Sequence, residues 1–185
     1  MIEVGYRAAA ALRRSPHELL FEFSRGYVMR CGGEIVWFDE DPEAFSPRGV
    51  LLCRTGNPAC PDRQDCLSYN DFFNNAVAQF LLTRNPQILL GLGHGLTPSG
   101  DDFLGGWHLV RHRLGHRETL DMSATHEISR ARLQMHLNGE GTRAEIRFVD
   151  ALLNGGDVEN AAQILRNHGH SSGDDFMRGA RAALQ

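Results

Sequence analysis

The sequence has no uninterrupted apolar stretch near the roughly 20 residues that a membrane-spanning helix needs. Its first residues, MIEVGYRAAAALRRSPHE, lack the basic, apolar and small-residue order of a secretory signal. Both absences speak against a membrane partner and for a cytoplasmic protein. There is no sustained run of lysine or arginine either. With 19 basic and 23 acidic residues the formal net charge is −4, so nothing announces a nucleic-acid surface. Metal-type cysteine spacing is also missing. Cys31, Cys53, Cys60 and Cys66 lie early in the chain, the last three in CRTGNPACPDRQDC, without the tight C-x2-C pair usual in zinc sites. They read as reduced thiols at a strand end and in a Pro-rich loop. A disulfide within that loop is the alternative, and the role of Cys53, Cys60 and Cys66 stays open.

What the chain does have is glycine: 20 of 185 residues, against a usual share of roughly 7 %. Many of these glycines stand where helices should begin or end. The length suits one domain or two intimate halves, enough to bury roughly two thirds of the unfolded surface. Residues 19–40, LLFEFSRGYVMRCGGEIVWFDE, alternate β-prone runs with Arg25-Gly26 and Gly32-Gly33, the punctuation of hairpins. VLLCR at 50–54 predicts one more strand, within a Pro-rich segment at 41–67 that forms a natural boundary.

Beyond it the period changes to helical. Asn70 is placed to cap DFFNNAVAQFLLTRN, whose Phe72, Phe73, Val77, Phe80 and Leu81 predict an apolar face ending at Asn85-Pro86. Further helices are expected through Phe103, Trp107, Val110 and Leu114, then from Ser123 or Thr125 into EISRARLQMHL. Three more follow, from Thr142 into RAEIRFVDALL, over DVENAAQILRN, and from residue 172 onward. The fold class is therefore α+β: a small β-rich part over 1–67, then about six helices over 68–185.

The helical part repeats itself. GLGHGLTPSGDDFLGG at 91–106 and GHSSGDDFMRG at 169–179 align with a constant offset of 73, pairing Ser99 with Ser172, Gly100 with Gly173, Asp101 with Asp174 and Asp102 with Asp175. Phe103 then matches Phe176, and Gly106 matches Gly179. In each copy Ser precedes Asp by three positions, an acidic capping box that suits a helix start and its dipole. Capping accounts for Ser and Asp, but not for the glycines. Gly91, Gly93 and Gly95 imply positive φ or close backbone approach, and such a loop can turn N–H groups toward an anion. The spacing fits neither the P-loop nor the dinucleotide fingerprint. Carboxylates beside an anion must point away, bind donors, or hold a divalent cation such as magnesium between themselves and the ligand. Gly106 and Gly179 sit two turns into their helices, where glycine costs about 1 kcal/mol against alanine, so the two helices are expected to pack side by side with their loops at one end.

These paired motifs resemble the AllH-type family, which includes a subunit of oxamate carbamoyltransferase from anaerobic allantoin breakdown, within purine catabolism. The resemblance spans roughly residues 70–185, and His94 stands where the family more often has proline. It implies carbamoyl transfer between oxamate and phosphate, with small anionic substrates and possible partner enzyme subunits. Glycine-rich helix starts suit such substrates, because their N–H groups can hold phosphate or carboxylate.

The residues proposed for substrate binding are Gly93, Gly95, Thr97, Ser99, Gly100, Asp101, Asp102, Ser171, Ser172, Gly173, Asp174 and Asp175. His94 and His170 each follow a glycine beside a motif, and are the candidates for acid or base. The alternative for each is a hydrogen bond to a loop carbonyl. His108, His112 and His116 recur at i, i+4 and i+8. Without an H-E-x-x-H acid, and with Arg111, Arg113 and Arg117 interleaved, they read as a solvated basic helix end. Two other functions compete with the small-anion enzyme: a non-catalytic partner subunit stabilised by its paired motifs, and a divalent-metal-binding protein.

Overall fold

The computed structural model of the chain describes residues 3–14, 16–23, 26–39, 49–51, 66–93, 95–167 and 172–185. The chain falls into two compact units, residues 1–61 with 141–144, and 62–140 with 145–185.

The first unit has the element order β1 (Glu3–Val4), α1 (Tyr6–Ala11), β2 (His17–Phe23), β3 (Gly26–Cys31), β4 (Glu34–Asp39) and β5 (Gly49–Leu51). Strands β2, β3 and β4 form an antiparallel meander, β5 joins β4 in parallel, and β1 pairs with β5, giving the order β1-β5-β4-β3-β2. Gly32 and Gly33 have φ of +55° and +88°, the two left-handed positions of a tight hairpin turn. Ala8 and Ala11 of α1 bury against Cys31, Val36 and Phe38, and Tyr27 stacks on Phe38 with ring centroids 4.4 Å apart. Cys31 is a buried free thiol at the end of β3, and burial pushes its pKa up. The expected strand at 50–54 is seen as β5; residues 52–54, Cys53 and Cys60 lie outside the described residues. Helix α1 is absent from the sequence reading, because one and a half turns of YRAAAA are too short to show an apolar period.

The second unit is helical: α2 (Cys66–Thr83), a 3-10 turn (Pro86–Ile88), α3 (Ser99–Arg113), α4 (Glu127–Leu137), α5 (Arg143–Asn154), α6 (Val158–Arg166) and α7 (Ser172–Ala182). The chain is α+β, as its periodicity predicts. Helix α2 begins at Cys66, four residues before Asn70, so Asn70 lies inside the helix rather than capping it. Phe73, Ala76, Val77 and Phe80 form its buried face, whereas Phe72 is 60 % exposed and lies off it. Phe80 meets Phe103 and Trp107 edge-on, at 5.9 and 5.0 Å.

Helix α2 closes on Arg84, whose N–H donates to the Phe80 carbonyl at 2.7 Å with φ +56°. A left-handed position usually takes glycine, and a side chain there costs roughly 1 kcal/mol. Asn85 then accepts from the Gln87 N–H at 3.1 Å and starts the 3-10 turn. Helix α4 is preceded by His126 without a side-chain cap, so Ser123 and Thr125 are not its caps. Thr125 is buried instead and turned toward α3.

Helix α3 is buried from Gly100 to Val110, on every side. A helix enclosed all round forms the axis of its unit. None of the described helices is long and apolar enough to cross a membrane.

Candidate functional site

The two repeated motifs meet where α3 and α7 cross. A Cβ added to Gly106 would lie 1.9 Å from the Phe176 carbonyl oxygen, and one added to Gly179 would lie 1.8 Å from that of Phe103. Equivalent positions thus make equivalent contacts in opposite senses, as across a local two-fold axis. Thr97 Oγ1 lies 3.0 Å from Ser172 Oγ, which puts both helix starts at the same end of the pair.

At that end the Ser and Asp residues do not form the expected capping boxes. Ser99 already occupies the first helical position, and the cap position belongs to Pro98, which has no side-chain oxygen to offer. The Ser99 hydroxyl hydrogen-bonds to Asp175 and the Ser172 hydroxyl to Asp102, so each motif gives its serine to the other's second carboxylate. Asp175 also lies 3.5 Å from Arg178. Burial pushes the Asp175 carboxyl up, against the pull of Ser99 and Arg178.

The first carboxylates of the two motifs diverge. Asp101 is buried, and its Oδ1 accepts the Gly91 N–H at 2.7 Å. Its Oδ2 accepts the hydroxyls of Thr125 and Ser129, the latter at 2.5 Å. Three protein donors commit this carboxylate to tying the glycine loop and α4 onto α3. Asp174 is exposed and pairs with Arg166 at 3.2 Å.

The glycines serve two purposes. Gly100 and Gly173 would clash with the carbonyls of Leu89 and Leu165 if they carried a Cβ, at 1.9 and 2.6 Å, which makes both packing positions. Gly91, Gly93 and Gly95 all hold positive φ, at +73°, +129° and +87°. The Gly100 N–H donates to the Leu92 carbonyl at 2.8 Å, and the Asp101 and Asp102 N–H groups to that of Pro98, so the loop folds back onto the first turn of α3.

Asp102 stands apart. Its carboxyl is only 4 % exposed, its Oδ2 has no hydrogen-bond partner, and Arg132 lies 4.0 Å from its Oδ1. Burial raises its pKa to about 7, opposed by Arg132 and the Ser172 hydroxyl and aided by the charges of Glu145 and Asp175. Behind it runs a buried polar chain. Arg132 reaches Glu145 Oε1 at 2.6 Å, and His136 Nε2 lies 3.2 Å from Glu145 Oε2. Sequence spacing singled out none of Arg132, His136 or Glu145. The one available signal was the i, i+4 placement of Arg132 and His136 on α4, which a surface helix shares.

His94, His170 and Ser171 lie outside the described residues, as does His168. Among the described residues no group of three or more His, Cys, Asp or Glu side chains is placed to hold a metal ion. The solvated basic end expected of α3 is only partly so. His116 is exposed, but His108 is 6 % exposed, with Nδ1 2.7 Å from Glu118 Oε2. The ten-residue separation of His108 and Glu118 hid that pair.

The fold and site together define a helical unit organised about an internally duplicated SGDD helix pair. A family profile described as oxamate carbamoyltransferase subunit AllH matches residues 89–184, more than half of the chain, and the chain belongs to that family. Comparison with curated proteins and with solved structures found no match.

Proposed function

We propose that the chain is a cytoplasmic component of a carbamoyltransferase of the oxamate and carbamoyl phosphate type, working with partner subunits and binding its small anionic substrate where α3 and α7 begin. Residues 68–185 are the part that carries this function. The observation behind the reading is Asp102, a buried carboxyl with a free oxygen and a pKa of about 7, placed where both motifs meet. In carbamoyl transfer from carbamoyl phosphate, the oxamate nitrogen bonds to the carbamoyl carbon. The carbon–oxygen bond to phosphate breaks, and the nitrogen gives up a proton. A group with pKa near working pH is suited to move that proton, and Asp102 is our candidate, together with the sequence candidates His94 and His170. The loop carrying Gly93 and Gly95 offers N–H groups to the anion, and Thr97, Ser99 and Ser172 join it by turning their hydroxyls from their present partners.

A melting experiment tests the reading. Carbamoyl phosphate or phosphate should raise the melting temperature, because a ligand that binds the folded state stabilises it. In a folded Asp102→Asn variant the protein should still bind the anion, while carbamoyl transfer by the assembled enzyme should fall by roughly a hundredfold or more. No shift with either anion, or full transfer activity in Asp102→Asn, would favour a non-catalytic partner subunit. The commitment of Asp101 and of the Gly100 N–H to the fold would suit that role.

A further inference from the structure

Beyond the SGDD motif along α3, the second unit holds a cavity of about 390 Å³. Its volume lies in the range of small-molecule sites. Phe80 and Arg84 from the end of α2, Trp107, His108 and Arg111 from α3, and Glu118 beyond it line the space. None of these residues takes part in the Ser–Asp exchange.

The lining is chemically selective. The Arg84 guanidinium stands over the Trp107 ring, 4.7 Å from its centroid, and has no carboxylate partner among the described residues. Among the described residues Arg84 is also the non-glycine residue held at positive φ, at a helix end where glycine would sit without strain. Glu118 ties two more of the lining residues together. Its Oε1 accepts Arg111 Nε at 3.1 Å and its Oε2 lies 2.7 Å from His108 Nδ1. That leaves the terminal nitrogens of Arg111 without a partner among the described residues. Burial keeps the His108 pKa low, against the pull of Glu118, so the ring is neutral with its Nδ1–H donated to Glu118. His108 Nε2 is then a buried acceptor without a donor. Two guanidinium groups and one side-chain carboxylate line the space, with the Trp107 indole beneath Arg84.

The geometry points to a second ligand site for a small planar organic carboxylate. Its anionic group pairs with Arg84 and Arg111, and its flat body lies along the edge of the Arg84–Trp107 stack. An arginine at the left-handed end of α2 is then placed for its guanidinium, against the preference of the backbone. The arrangement neither uses nor requires the site at the SGDD motifs.

Trp37 and Trp107 are the two tryptophans of the chain, so a Trp37→Phe background leaves Trp107 as the fluorescent reporter. Benzoate, nicotinate and oxamate are titrated against it, with benzamide, nicotinamide and oxamide as neutral isosteres. At least one carboxylate should change the fluorescence saturably while its amide does not. Arg84→Gly should weaken that binding roughly tenfold or more, since it removes a charge-assisted contact. This variant relieves the strained φ and should fold, and Arg111→Gln provides a second loss of binding. No saturable response to any of the three carboxylates, an equal response to the amides, or unchanged affinity in Arg84→Gly would overturn the assignment.

Discussion

Gly106 lies directly against the carbonyl oxygen of Phe176, and the same contact recurs between Gly179 and Phe103. A methyl group at either glycine must push two helix backbones apart, since each contact is with main-chain oxygen. Gly106→Ala and Gly179→Ala should each destabilise the protein by about 2–4 kcal/mol despite alanine's better helix propensity. Because the residues share one crossing, the double variant should cost less than the sum of the single ones. Urea denaturation of the four proteins checks both statements.

Asp101 and Asp174 hold the same place in the repeat but not in the energetics. Asp101→Ala leaves three donors unsatisfied around a buried position and should cost about 3 kcal/mol or more. Asp174→Ala breaks an exposed pair with Arg166 and should change stability by no more than about 0.5 kcal/mol. Thermal melts of the two variants distinguish them.

The raised pKa of Asp102 links stability to pH. The folded protein keeps this proton up to about pH 7, whereas an ordinary carboxyl releases it near 3.8. The contribution of Asp102 is therefore fully present below pH 4, declines as pH rises toward 7, and is flat above. His108, lowered by burial, gives an opposite slope on the acid side of its ordinary value of 6.5. Asp102→Asn removes only the first effect. Its stability relative to the parent should rise steadily from pH 4 to 7, measured by urea denaturation across that range.

Ser172 holds the Asp102 pKa down through its hydroxyl. Ser172→Ala should cost about 1 kcal/mol and move the Asp102 titration to higher pH, seen in the carboxyl carbon signal by NMR. Ser99→Ala should shift Asp175 in the same direction.

The crossing was legible in the sequence because glycine two turns into a helix is unfavourable on its own account and so signals close approach. The Ser-x-x-Asp spacing was legible as a hydrogen-bonding pattern but not as to its partner. An i, i+3 box within one helix and an exchange between two copies of it leave the same residues at the same intervals. Thr125 has the place of a cap for α4 and Ser129 that of an ordinary residue within it, yet both serve Asp101, 24 and 28 residues earlier in the chain. The chain from Asp102 through Arg132 and Glu145 to His136 draws on three helices, and its members meet only after those helices pack. His108 read as a surface residue because arginines surround it in sequence, although α3 is buried on all sides from 100 to 110.

The pairing of α3 with α7 has the form of an isologous dimer interface closed inside one polypeptide. In a true dimer, serine-to-carboxylate exchange of this kind would form and dissolve with protein concentration. Here the intervening chain keeps both partners at a high effective concentration, so the interface persists at any dilution. The tether also frees the halves from being identical. One copy spends its first carboxylate in the interior as Asp101, while the other leaves Asp174 at the surface, an asymmetry that two identical subunits related by a two-fold axis could not hold.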